Sequence, residues 1–101
     1  MALYELSPEA LDDLLNTQEF VSSDSPAAAE RLIDEFFAAF EHLASWPRSG
    51  HSRADLTEKP VLFWPVGSYL IVYRIRSADS LLQVVAVLLG ARDVPAILIN
   101  R

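Results

Sequence analysis

The chain has 101 residues, of which 51% are hydrophobic and 10% aromatic, enough for one core and too few for two, so a single domain over residues 1–101 is expected. It contains no cysteine, which excludes a disulfide scaffold and thiolate metal sites and fits a reducing, cytoplasmic setting. The formal net charge of −6 argues against strong direct nucleic-acid binding, and the opening lacks a basic stretch followed by a long apolar run, so neither export nor membrane insertion is expected.

In chain order, Ala2 to Leu6 alternates apolar and polar residues and predicts a short strand. Ser7-Pro8-Glu9 then supplies a capping hydroxyl, a proline suited to the first helical position and an acid for the positive end of the dipole. Leu11, Leu14 and Leu15 follow at helical spacing, with Phe20 extending the stripe. After the loop Ser22-Ser23-Asp24, Ser25-Pro26 repeats the same start signal. The second helix has a wide apolar face through Phe36, Phe37, Phe40 and Leu43, with Glu30, Arg31, Asp34, Glu35 and Glu41 on the remainder. The short connection predicts a helical hairpin.

Trp46-Pro47 ends that helix, and Arg48 to Thr57 reads as an extended loop. The period then changes. Val61–Trp64, Tyr69–Arg76 and Leu81–Leu89 are rich in β-branched and aromatic residues and are separated by Pro65–Ser68 and Ser77–Ser80, which predicts an antiparallel meander. In the middle strand Tyr69, Ile71, Tyr73 and Ile75 share one face, and Leu70, Val72, Arg74 and Arg76 the other. Beyond Gly90 come Arg92, Asp93 and a short apolar tail, Ala96 to Ile99.

Charge is divided along the chain. Residues 1–47 carry ten acids against Arg31 alone, a net −9, whereas residues 48–101 carry seven bases against four acids, a net +3. The reading that follows is a two-faced molecule, with acids coating the helices and Arg74, Arg76 and Arg92 clustering toward the uncovered side of the sheet or its rim.

The order strand, helix, helix, three strands, together with Tyr4-x-Leu6-Ser7-Pro8-Glu9-Ala10, resembles the RelE/ParE toxin superfamily. Ser25-Pro26-x-Ala28-Ala29-x-Arg31-x-Ile33-Asp34 is similar to its second-helix opening, and Pro65-Val66-Gly67-Ser68-Tyr69-Leu70-Ile71-Val72-Tyr73-Arg74 to the entry into its central strand. Val87-Leu88-Leu89-Gly90-Ala91-Arg92-Asp93 looks like the ending common in the ParE-like branch. The resemblance covers nearly the whole chain. It implies an α+β fold of β-α-α-β-β-β order, a helical hairpin packed on a twisted antiparallel sheet. It also implies the toxin half of a type II toxin-antitoxin, or plasmid stabilisation, pair, with a cognate antitoxin as partner.

Family members divide between inhibition of DNA gyrase and ribosome-dependent cleavage of mRNA, so the residues must choose. Cleavage through the 2′-hydroxyl needs a proton acceptor, cations for the phosphorane and a donor for the leaving oxygen. Here Val61–Trp64, where the nucleases carry lysines, is apolar. Pro65-Val66 stands where they carry an arginine, Leu89 replaces the histidine of the ParE-like ending, and the tail beyond Arg92 has no tyrosine or histidine. A nuclease would have to assemble Arg92, Arg74 and His51. The preferred reading is a non-enzymatic binder of a protein target, gyrase being the best single choice. The alternatives are the nuclease and a non-toxic remnant that keeps antitoxin binding.

Target or antitoxin contacts are expected at Arg74, Arg76, Arg92, Asp93 and the broad apolar surface around Phe36, Phe37 and Phe40. Each has a plainer role too: Arg92-Asp93 as a structural pair, the strand arginines as solvated residues, the aromatics as core. Arg48, His51 and Arg53 sit together in a loop, more often a solvated segment than a phosphate site, and His42 on a helix with acidic neighbours is not expected to be a catalyst or a ligand. No cofactor or metal is expected, since the two histidines lack ligand spacing. A homodimer and a toxin-antitoxin hetero-oligomer are both compatible with the sequence.

Overall fold

The serine-proline steps start both long helices in the way their chemistry dictates. In the computed structural model, which describes residues 3–76, 81–90 and 94–101, strand β1 (Tyr4–Leu6) leads into α1 (Pro8–Ser22), and after three residues α2 (Pro26–Ser45) follows. The Ser7 hydroxyl accepts from the Ala10 N–H at 3.0 Å and the Ser25 hydroxyl from the Ala28 N–H at 3.1 Å. Each cap satisfies a helix N–H that has no intrahelical acceptor. Trp46 leaves the helical region and Pro47 prevents continuation.

The remaining elements are a 3-10 turn at Pro47–Ser49, strands β2 (Leu62–Val66), β3 (Tyr69–Ile75) and β4 (Leu82–Leu89), and helix α3 (Val94–Leu98). The sheet order is β1-β4-β3-β2. The meander β2-β3-β4 is antiparallel as its turn signals predict, while β1 joins β4 in parallel, with Tyr4 opposite Leu82, so the sheet is mixed. The expected break at Pro65 does not occur. Pro65 and Val66 belong to β2, because an edge strand tolerates a residue without a donor N–H, and the turn is Gly67-Ser68 alone. Gly67 has φ 58° at the first turn position, which a side chain would strain.

The two faces of β4 make two cores. Val84 and Val87 face α1 and α2 with Ile71, Tyr73, Leu82, Phe36, Phe40 and Leu43, whereas Val85, Ala86 and Leu88 face Phe63, Val72, Val94 and Leu98. A β-bulge makes this possible: Tyr73 lies opposite Val84 but Val72 opposite Ala86, so the extra residue, Val85, turns to the second face. The apolar tail, read from sequence as a plain chain end, is α3, which lays Val94 and Leu98 on that face at i, i+4 spacing. Of the side expected to be uncovered, α3 therefore occupies the part over Val72, Val85 and Ala86, which leaves the rim open.

Helical spacing also overstated α1. Ala10 and Leu14 are its buried residues, whereas Leu11, Leu15 and Phe20 are exposed, since only one flank of the helix meets β4.

The Tyr73 hydroxyl pins the loop after α2 to the sheet. It donates to the Pro47 carbonyl at 2.6 Å and accepts from the Gly50 N–H at 2.9 Å. A Cβ on Gly50 would fall 2.4 Å from the Tyr73 hydroxyl oxygen, so glycine is required by close approach. Burial pushes the Tyr73 pKa up, with the Gly50 N–H and the charge of Arg48 acting against it. Tyr73→Phe keeps the ring packing but leaves both loop groups without their partner. We expect a loss of about 1–3 kcal/mol in urea unfolding, and an unchanged midpoint would show that the loop does not depend on this hydroxyl.

Candidate protein-contacting site

The polar chemistry of the sheet starts from strand alternation. Arg74 on β3 and Arg76 just beyond its end project away from α1 and α2, and Gln83 does so from β4. The Arg74 Nε donates to Gln83 Oε1 at 2.7 Å, the Gln83 Nε2 donates to Glu5 Oε1 at 3.1 Å, and Arg76 reaches the same oxygen at 3.0 Å. Three strands are thus crossed by one polar ladder. It runs at the end of the sheet that α3 leaves open, so both arginines remain exposed. Among the described residues no carboxylate forms an ion pair with Arg74.

Beside the ladder lies a groove of about 590 Å³ between the sheet and the 52–60 segment. Its lining joins Arg48, Arg53, Lys59 and Arg74 to the apolar Val61 and Ile75. Arg53 is held by Asp55 through two hydrogen bonds of 2.8 and 3.0 Å, and the Lys59 ammonium donates to the Ile99 carbonyl at 3.4 Å. The pairing raises the Arg53 pKa and lowers that of Asp55, chiefly through these side-chain hydrogen bonds.

The expected apolar docking surface divides. Phe36 and Phe40 are fully buried against the sheet, with Phe36 edge-on to Tyr69 at 5.6 Å and Phe40 against Tyr4 at 5.5 Å, so neither can touch a partner. Phe37, 41% exposed and edge-on to Phe40, is the part of that surface a partner could reach. The face was wide because one flank packs on the sheet while the other turns outward. Phe63 and Tyr73 are likewise buried, and Trp64 packs against His42 with ring centres 5.2 Å apart.

Of the residues a nuclease would need, Arg74 lines the groove. His51 does not: it is exposed, and its backbone exchanges hydrogen bonds with Phe63 at 2.8 and 2.9 Å. Arg92 and Asp93 lie outside the described residues. No group of three or more potential metal ligands exists among the described residues, and none of their helices is long and apolar enough to cross a membrane.

One assembly was invisible in the sequence. Beyond Ser7 strand β4 loses its β1 neighbour, and side chains take over its edge: Asp13 on α1 accepts from the Val87 N–H at 3.1 Å, and Arg101 donates to the Val85 carbonyl at 3.2 Å. Asp13 and Arg101 also form a two-pronged ion pair, both side chains over four-fifths buried. The carboxylate holds the Arg101 pKa above its ordinary value, burial opposing it. One of two adjacent aspartates among the polar residues of α1 gives no sign of this, because its partner lies 88 positions away.

An α+β fold with a helical hairpin on one sheet face and a short helix on the other defines the class. The chain matches the model of the ParE toxin of the type II toxin-antitoxin system, parDE, over residues 4–94, and it belongs to that family. A solved structure of the chromosomal ParDE toxin-antitoxin system from P. aeruginosa superposes with a TM-score of 0.70 at 16% identity. The match covers 89% of this chain and 97% of that one, a likeness of fold. No curated protein matches in sequence.

The Asp13–Arg101 clip should act as a unit. Asp13→Ala and Arg101→Ala should each lower the urea midpoint, and in the double variant the losses should fall short of their sum by about 1 kcal/mol or more. Simple additivity would mean that the two residues support β4 separately.

Proposed function

We propose that this chain is a ParE-type toxin that acts by binding a protein target, DNA gyrase being the preferred one, and is neutralised by a cognate antitoxin in the cytoplasm. The observation that carries the reading is the composition of the second sheet face. Phe63, Val72, Val85 and Ala86 are buried there beneath α3, so the surface on which a nuclease of this superfamily would set its cations is occupied by apolar packing. What this side exposes instead is the Arg74–Gln83–Glu5–Arg76 ladder, a patterned charge surface suited to another protein's carboxylates and amides.

Membership of the family supports the toxin role, and the superposed P. aeruginosa structure, being of a toxin-antitoxin system, supports an antitoxin as partner. The proposed contacts on this chain are Arg74, Arg76 and Phe37, joined by Arg92 and Asp93 from outside the described residues.

The reading is tested by adding the purified chain to gyrase and relaxed plasmid. We expect inhibited supercoiling or accumulation of cleaved DNA, and a weaker effect from folded Phe37→Glu or Arg74→Gln/Arg76→Gln protein. Unaltered supercoiling, together with site-specific cuts in ribosome-bound mRNA lost on Arg74→Ala, would replace the binder with the nuclease.

A further inference from the structure

The groove between the sheet and the 52–60 segment concentrates positive charge in a molecule whose net charge is −6. Arg48, Arg53, Lys59 and Arg74 line it, and among the described residues Glu58 is the one acid in its lining. These cations come from three separate stretches of chain, and the Tyr73 hydroxyl helps to gather them by tying Pro47 and Gly50, on either side of Arg48, to β3. The acids of the helices lie elsewhere: Glu9, Asp12, Glu19, Glu30, Asp34, Glu35 and Glu41 are carried by α1 and α2. We propose that this groove is a binding site for a short, extended, acidic peptide segment of a protein partner, one that alternates carboxylates with apolar side chains.

Three observations favour a peptide over a nucleic acid. The apolar part of the lining is aliphatic, from Pro60, Val61, Leu62 and Ile75, and contains no aromatic ring on which a base could stack. The overall negative charge of the chain opposes a long polyanion, whose affinity depends on many phosphate contacts. Arginines with planar, forked donors predominate over lysine, which suits carboxylates held two-pronged, as Arg53 already holds Asp55. That bond shows the geometry locally available, and a partner carboxylate would compete with or extend it. The alternating pattern follows from a lining that is cationic at its rim and aliphatic at Val61 and Ile75.

The site deepens the protein-binding reading and rests on it, so its test reads the groove without any target. A fluorescein-labelled hexapeptide of alternating Glu and Leu is titrated against the full chain by fluorescence anisotropy, beside a six-nucleotide oligothymidylate. We expect saturable peptide binding that weakens with added salt and falls about tenfold or more in Arg48→Gln/Arg74→Gln protein. Arg31→Gln, which removes an exposed positive charge from α2, controls for net charge and should leave binding unchanged, and Lys59→Gln repeats the test without touching the Gln83 ladder. No peptide binding, equal losses with Arg31→Gln, or tighter binding of the oligonucleotide would each overturn the assignment. Failure here would leave gyrase inhibition intact, whereas failure of the toxin reading would leave the peptide isotherm intact.

Discussion

Strand β4 must be kept from water on both faces, and most of the molecule is arranged to do so. Its sequence, Leu82 to Leu89, has one polar side chain, Gln83, and every residue from Val84 to Leu88 is buried. A strand between two neighbours, covered on both sides, reads as a near-continuous apolar run rather than an alternating one. The helical hairpin covers one face through Phe36, Phe40 and Leu43, and α3 covers the other through Val94 and Leu98. At about 1.5–3 kcal/mol for each large side chain fully buried, these contacts dominate any single polar interaction on the surface.

The polar groups of β4 are satisfied with equal economy. Ser7 N–H bonds the Val84 carbonyl at 2.9 Å as β1 ends, and Asp13 and Arg101 continue the ladder where no strand remains. The bulge at Val85 gives both cores a valine from adjacent residues. With the interior filled in this way, charge is left to the rim, where Arg74 and Arg76 are threaded through Gln83 and Glu5 and the 52–60 segment brings Arg53 and Lys59 beside Arg48 and Arg74. A fold that uses both sheet faces for packing leaves that rim as its charged surface, which is how the covered sheet and the proposed protein binding belong together.

What the sequence made legible was local. Ser7-Pro8 and Ser25-Pro26 announce their helices because a cap depends on residues within one turn, and the Pro65–Ser68 stretch announces a hairpin for the same reason, although only Gly67-Ser68 forms its turn. Periodicity located the apolar face of α2 but could not say that Phe36 and Phe40 point to the sheet while Phe37 turns aside, since all three fit the stripe. Helix α3 was missed because five residues containing a proline carry too short a pattern, and its helical form is fixed by the second core. Of the groove cations, Arg48 and Arg53 stand out in the sequence as one loop cluster and Arg74 as a strand residue, while Lys59 does not; only the tertiary course of the loop joins them.

The account turns on β4 being sealed on both faces in the protein as it stands, and native-state hydrogen–deuterium exchange measures that directly. The amides of Val84 to Leu88, with Val87 bonded to a side chain rather than to a strand, should exchange only on global unfolding, at the slowest rates in the molecule. Exchange at Val85 to Val87 as fast as in the 52–60 segment would mean that α3 and the Asp13–Arg101 clip do not hold, and that the second face is an open working surface.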